Sequence, residues 1–384
     1  MMEGTEGLAR EIAASLEAYL ETLRRQWVTT GAAVMGGSRV AAMDRSAPGE
    51  MPLPSYVKPA LTPHLQNLIR RVNEVIREQA YTEQFAMDPD WAFGRRVLQA
   101  RTRTLSIRSV AFLGKTGSHS HRSALLQYPD ADMHPVASFA EACRMVLAGE
   151  VDAAVLPIDN STAGTIGDVY DLLLRHDLHI VRGASLSIRN VLLGIPGASV
   201  ADVREVWTHP QPIVQCAGFI REKGLRAVAM ESTAVAADAV SKAGDPAVAA
   251  IGSRDAAQMY GLTVLADDID DAPTNQTRFV TVAREFVIPP LATRASLVFT
   301  LPHESGALSG VLAGVRSRLA DFGLNVAKIQ SRPIPHHAWE YSFHLDFESG
   351  ADNVKALEAL YMLDHELPYL KLLGWYPEQL GTMG

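Results

Sequence analysis

Apolar side chains recur every three or four positions at Leu8, Ile12, Leu16, Tyr19, Leu20, Leu23 and Trp27, a spacing that predicts an amphipathic helix over residues 8 to 27. That pattern stops between residues 31 and 62, where Gly31, Gly36, Gly37, Pro48, Gly49, Pro52, Pro54 and Pro59 predict mostly loop. A second apolar face, carried by Leu65, Leu68, Ile69, Val72, Ile76 and Ala80, predicts a helix from about Pro63 to Phe85. Residues 1 to 104 are thus expected to form a mainly helical N-terminal part.

From Val110 the texture changes. Short apolar runs at 110–113, 153–156, 180–181, 191–193, 206–207, 248–251 and 279–282 predict strands, and amphipathic segments at 138–149, 169–175, 212–222 and 233–243 predict helices among them. This alternation predicts α/β architecture with parallel sheets in one or two lobes, and a ligand cleft at the carboxyl ends of strands. Pro289 and Pro290 mark a linker. Beyond it, strands at 295–301, 325–331, 339–347 and 369–376 and helices at 306–322 and 354–363 follow the order βαββαβ of a ferredoxin-like plait.

Composition agrees with several domains, because 384 residues exceed one ordinary core. With 47% hydrophobic residues the chain reads as soluble and globular, and no run approaches the roughly 18 apolar residues of a membrane span. A net charge of -8 without a basic block argues against a nucleic-acid partner. Cys143 and Cys216 make no disulfide framework, and no Cys or His pair has zinc-ligand spacing, so no metal or cofactor is expected. Glu3, Glu6, Arg10 and Glu11 interrupt the N-terminus where a signal peptide needs an apolar core, which predicts a cytoplasmic protein.

Polar groups gather at predicted strand ends. Asn275-Gln276-Thr277-Arg278-Phe279 enters a strand with a hydroxyl donor beside a guanidinium. Such a pair suits a substrate bearing a leaving hydroxyl and a carboxylate, and it also suits an ordinary strand-entry ion pair. Gly114 to His121 carries two glycines, three hydroxyls and two imidazoles, either as an anion cradle or as a turn with Ser118 or Ser120 capping a helix. Pro157 to Gly164, Thr208-His209-Pro210-Gln211 with Gln215, and Glu231-Ser232-Thr233 complete the set. Gly-x-Ser-x-Gly, the dinucleotide fingerprint and the Walker sequence are all absent, so the mix suits a reaction that holds an anion and donates a proton without a covalent intermediate.

In this order, the Asn275 to Phe279 run, the 157–164 loop, Thr208 to Gln211 with Gln215, Glu231-Ser232-Thr233-Ala234 and Tyr260-Gly261-Leu262 resemble prephenate dehydratases. The chain after Pro290 resembles their ACT regulatory domain through Gly306-Ala307-Leu308, Ser331-Arg332-Pro333 and Trp339-Glu340-Tyr341. The resemblance implies a two-lobed type II periplasmic-binding-protein-like catalytic domain at 105–288 and an ACT domain at 293–377. It implies conversion of prephenate to phenylpyruvate, CO2 and water in phenylalanine biosynthesis, feedback inhibition by L-phenylalanine, and a homodimer or homotetramer. It makes Thr277 the catalytic residue, a hydrogen-bond donor to the departing oxygen. Asn160, Ser161, Thr162, Gln215 and Thr233 line the cleft with Asp159, Phe279 and Ser118, while Arg278 either holds a substrate carboxylate or braces the lobe. Gly306, Ala307, Leu308, Ser331, Arg332 and Pro333 are the implied phenylalanine site.

Departures are visible. Asp159 replaces the usual glutamate, Lys115-Thr116-Gly117-Ser118-His119 replaces a proline-glutamate-glycine-threonine-phenylalanine run, and Gln330 replaces the glutamate before Ser331. Residues 1 to 104 resemble a chorismate mutase whose middle helix has given way to the 46–59 Pro and Gly stretch. Three alternatives therefore stand beside the dehydratase: an enzyme that is also a chorismate mutase, a prephenate decarboxylase, and a catalytically silent sensor of prephenate or phenylalanine.

Overall fold

The structure is a computed structural model that describes residues 88, 91–101, 103–272, 274–301, 308–334, 341–351 and 353–383, with backbone only at 308–313 and 380–383. The helices expected at 8–27 and 63–85, Gly306, Ala307, Trp339 and Glu340 lie outside the described residues.

The helices are α1 (Ala92–Ala100), α2 (His119–Gln127), α3 (Phe139–Ala148), α4 (Gly167–Arg175), α5 (Pro210–Gln215), α6 (Ala217–Glu222), α7 (Thr233–Ala243), α8 (Arg254–Tyr260), α9 (Leu308–Asp321) and α10 (Val354–Glu366). The strands are β1 (Ser109–Leu113), β2 (Asp132–Val136), β3 (Ala153–Asn160), β4 (Gly164–Thr165), β5 (His179–Ser187), β6 (Val191–Gly194), β7 (Glu205–Thr208) and β8 (Arg226–Ala229). They continue as β9 (Val248–Gly252), β10 (Thr263–Ala266), β11 (Gln276–Ala283), β12 (Arg294–Thr300), β13 (Asn325–Pro333), β14 (Tyr341–Glu348), β15 (Tyr369–Tyr376) and β16 (Glu378–Met383).

The chain divides into two compact units. Residues 1–99, 301–324 and 353–369 form one, and its described part is helical. Within it Trp91 donates to Asp364 at 2.9 Å and meets the Tyr361 ring edge-on, while Arg318 on α9 pairs with Glu366 on α10.

The other unit holds three sheets. A seven-stranded sheet runs β16-β5-β11-β3-β1-β2 with β4 on β3, a five-stranded sheet runs β10-β6-β9-β7-β8, and a four-stranded sheet runs β13-β14-β12-β15. The last order is that of an antiparallel plait sheet, as the βαββαβ pattern predicts. The first two sheets are mixed where parallel ones were expected. The chain leaves the first lobe after β5, builds the second lobe from β6 to β10, and returns as β11 antiparallel to both β3 and β5. The chain thus crosses between the lobes twice, after β5 and after β10.

Each lobe has its own core. Leu156, Ile158, Val280 and Val282 pack with α3 and α4 residues, and Val298, Leu373 and Tyr376 of the plait sheet join that cluster. On the other face of the same strands Phe279 packs with Val110, Phe112 and Leu186. Val191, Leu193, Val240 and Ala250 centre the second lobe. Beyond the plait, β16 returns to the first lobe as a parallel neighbour of β5, a strand that the polar tail sequence does not predict.

Candidate active site

The register of β11 on β3 sets Thr277 opposite Asn160 and Arg278 opposite Asp159. Successive strand residues face opposite sides of a sheet, so this one pairing builds two separate polar groups.

On the first face, Asn160 Nδ2 donates to Thr277 Oγ1 at 2.9 Å and to Asn275 Oδ1 at 2.9 Å. The Asn160 carbonyl oxygen accepts from the backbone N–H groups of Thr162 (3.0 Å) and Ala163 (2.7 Å) and from the Thr162 hydroxyl (2.7 Å). Two backbone donors cannot turn round, so the Asn160 amide is fixed with its NH2 toward Thr277. Thr277 therefore receives a hydrogen bond and keeps its own proton to give. Gln215, on α5 of the second lobe, donates to Thr162 Oγ1 at 3.0 Å and closes the cleft across its width. Ser161 pins the edge by donating to Thr274 O at 3.1 Å and accepting from Gln276 N at 2.9 Å. Thr277 and Asn275 are buried, at 8% and 2% exposure. Among the described residues, the side chains hydrogen-bonded to Thr277 and Asn160 are all neutral.

The opposite face is ionic. Arg278 grips Glu378 of β16 with two bonds of 3.0 and 2.9 Å, Asp346 of β14 at 2.8 Å and the Tyr376 hydroxyl of β15 at 2.7 Å. Burial opposes its charge, but Tyr376, Asp346 and Glu378 outweigh that and raise its pKa above the ordinary arginine value. Asp159 pairs with Lys328 of β13, which also donates to the Tyr170 hydroxyl at 2.9 Å. The Arg278 guanidinium faces the plait sheet and β16. Asp159 is committed to the same face, and Phe279 lies in the apolar core at 1% exposure.

The remaining expected residues are scattered. Ser118 caps α2, accepting from His121 N at 3.2 Å, and its loop docks on the second lobe through Ser253 to Gly117 O (2.9 Å) and Tyr260 to Thr116 O (2.9 Å). Thr233 opens α7 beside the cap residue Ser232. On the plait sheet Arg332 is held by Asp171 at 3.1 and 3.2 Å, Gln330 accepts from Thr165 at 3.2 Å, and Ser331 and Pro333 are exposed residues of β13. Gly167 leaves room for the arginine, since a Cβ there would lie 2.1 Å from Nη1 of Arg332.

Two further residues join the cleft network. Asn190, fully buried, donates its amide to Asp270 Oδ1 at 2.6 Å and to Gln215 Oε1 at 3.3 Å, and its backbone N–H to Asp270 Oδ2 at 2.7 Å. Their sequence separation of 80 positions hides the pair, and no local pattern announces it.

A two-lobed α/β fold whose lobes are joined by a network of amide and hydroxyl donors marks a class of ligand-orienting proteins, and known proteins narrow it. Residues 110–286 match the family model for prephenate dehydratase. The chain is 37% identical over 287 residues to arogenate dehydratase/prephenate dehydratase 1, chloroplastic, of Arabidopsis thaliana, covering 71% of this chain and 72% of that protein. A prephenate dehydratase from Arthrobacter aurescens in complex with L-Phe superimposes with a TM-score of 0.63 and 32% identity over 70% of this chain and 90% of that one. GqqA, described as a novel type of quorum quenching acylase, does so with a TM-score of 0.64 and 32% identity over 71% and 99%. The chain belongs to the prephenate dehydratase family, and it is a dehydratase, a hydro-lyase of phenylalanine biosynthesis. Among the described residues, no helix is long and apolar enough to cross a membrane.

Proposed function

We propose that this chain converts prephenate to phenylpyruvate in the cleft between the two lobes, with Thr277 as the donor to the departing hydroxyl. The observation that carries the reading is the one-way bond from Asn160 Nδ2 to Thr277 Oγ1, which leaves the threonine proton available to donate. Prephenate needs little more. As the carboxylate carbon–carbon bond breaks, its electron pair enters the ring, the ring becomes aromatic, and the hydroxyl oxygen leaves with negative charge and ends as water. A hydroxyl is a weak acid, so its contribution is a hydrogen bond that strengthens as that charge grows. That no base is hydrogen-bonded to Thr277 among the described residues supports this chemistry over acyl hydrolysis, which requires a base next to a nucleophile.

Asn160, Thr162, Gln215 and Asn275 orient the substrate, and Ser161 holds the cleft edge. Residues 105–288 act as the catalytic domain and 293–377 as the regulatory ACT domain, with L-phenylalanine as effector. The L-Phe-bound relative supports that assignment, as does the plait sheet, which reaches Arg278 and Asp159 directly behind Thr277 and Asn160. The Arabidopsis relative, named for both substrates, supports arogenate as a second substrate.

Supplying purified protein with prephenate and following phenylpyruvate in the ultraviolet tests the reading. Thr277→Ala is expected to lower kcat about 100-fold or more with the fold intact. Unchanged turnover in that variant would reject Thr277 as donor, and millimolar phenylalanine without effect on wild-type turnover would reject the effector role.

A further inference from the structure

Asp270 has no place in the mechanism above, yet it determines which way one cleft amide points. Its carboxylate accepts both the side-chain and the backbone N–H of Asn190, at 2.6 and 2.7 Å. A carboxylate has no hydrogen to give, so the Asn190 NH2 must face it. This arrangement leaves the Asn190 carbonyl oxygen buried without a hydrogen-bond partner. Leaving that oxygen unpaired is unfavourable, so the charged acceptor outweighs it in setting the orientation.

The second hydrogen of the same NH2 goes to Gln215 Oε1 at 3.3 Å. With its oxygen occupied, Gln215 turns its own NH2 to the cleft, where one hydrogen meets Thr162 Oγ1 at 3.0 Å and the other remains. A flipped Gln215 would set NH2 against NH2 at Asn190 and bring an acceptor into the cleft. The loop bearing Asp270 also holds the backbone of this residue, because Asp271 N donates to Gln215 O at 2.7 Å.

We propose that Asp270, acting through Asn190, is a positioning residue that locks Gln215 as a hydrogen-bond donor and so makes the cleft prefer a keto-bearing substrate over its amino-bearing counterpart. The proposal rests on the dehydratase reading given above. A keto oxygen accepts from the Gln215 N–H, whereas an ammonium group would face it donor to donor. Sites built around a fixed donor reject a partner that cannot accept.

The test compares kcat/KM for prephenate and arogenate on the same preparations, because loss of folded protein lowers both equally and leaves their ratio unmoved. Asp270→Asn, which keeps shape but can donate to the Asn190 carbonyl, is expected to lower the prephenate-to-arogenate ratio about tenfold. Gln215→Glu, which cannot donate, should move it the same way. In a Gln215→Ala background Asp270→Asn should change the ratio no further. A folded Asp270→Asn protein with an unmoved ratio overturns the proposal, as does an equal shift in the Gln215→Ala background. If Asp270→Asn fails to fold, Asn190→Ala breaks the link at its other end, and an unmoved ratio there overturns the proposal too. Wild-type protein inactive on both substrates overturns the dehydratase reading and this proposal together, whereas active wild type with an unmoved ratio overturns this one alone.

Discussion

Hydrogen-bond direction at Asn160 makes a prediction that separates polarity from shape. Its carbonyl oxygen is saturated by Thr162 and Ala163 backbone donors, so only the NH2 is left for Thr277. Asn160→Asp preserves volume and the backbone bonds but replaces that donor with an acceptor. The Thr277 hydroxyl would then turn inward to the new oxygen and withdraw its proton from the substrate. We expect kcat to fall about 100-fold, as far as in Thr277→Ala, with thermal stability little changed. Steady-state rates beside melting curves check this, and an Asn160→Asp enzyme with wild-type kcat would refute the one-way bond. Much of this residue scale is legible in sequence. Asn160, Thr162 and Thr277 sit at predicted strand ends and Gln215 one turn into the helix after another, and the structure brings these four together. Arg278 shares a motif with Thr277 yet serves the other face, a separation that the period of two in a strand would itself have given. Asn190 and Asp270 were illegible because only tertiary folding joins them.

At the scale of elements, β11 is a partition with Thr277 and its amide partners on one face and an ionic cluster on the other. Glu378 and Asp346 are almost without solvent, at 2% and 8% side-chain exposure, and both depend on Arg278. Removing one partner of a buried ion pair costs about 3–5 kcal/mol, since the other charge is left in a poor medium. Arg278→Ala should therefore destabilise the protein by that amount, read as a shift in denaturant midpoint, whereas Thr277→Ala should shift it by less than about 1 kcal/mol. Gly183 belongs to the same lock, because an added Cβ would lie 2.0 Å from Oε2 of Glu378. Element boundaries were read unevenly, for physical reasons. The sequence places α7 at 233–243 unambiguously because Ser232 caps it and Gly244 ends it at φ 62°. By contrast, α2 buries Ser120, His121, Ser123 and Gln127, so hydrophobic periodicity cannot find it. The expected helix at 212–222 divides at Cys216 into α5 and α6. No apolar alternation marks β16, which is held by pairing to β5 and by the Glu378 lock.

For the whole molecule, the texture of the sequence distinguishes the plait strands from the α/β lobes but does not show how β16 returns to the first lobe. The plait sheet does more than follow the two lobes in sequence: Val298, Leu373 and Tyr376 share the core of the first lobe, and Lys328, Asp346 and Arg332 are anchored to its polar groups. Any acid sensitivity of this shared region bears on both the first lobe and the plait sheet. His344 on β14 is 3% exposed and stacks edge-on with Tyr170, ring centres 4.5 Å apart. Burial, helped by Arg332, lowers its pKa from 6.5 to about 4, while Asp346 and Asp171 oppose the shift. A histidine with a depressed folded pKa is neutral in the native state and takes up a proton on unfolding between these two values. Stability is therefore fully present above the unfolded pKa of 6.5 and declines as pH falls toward about 4, below which the folded histidine is protonated too. The loss between pH 7 and pH 5 from this one group is about 2 kcal/mol. Replacing it by the similarly sized, non-titrating His344→Gln should flatten the pH dependence by that amount, whatever the substitution does to stability at pH 7. Denaturant unfolding of both proteins at pH 7 and pH 5 measures the difference, and equal slopes would show that His344 is not the group that charges.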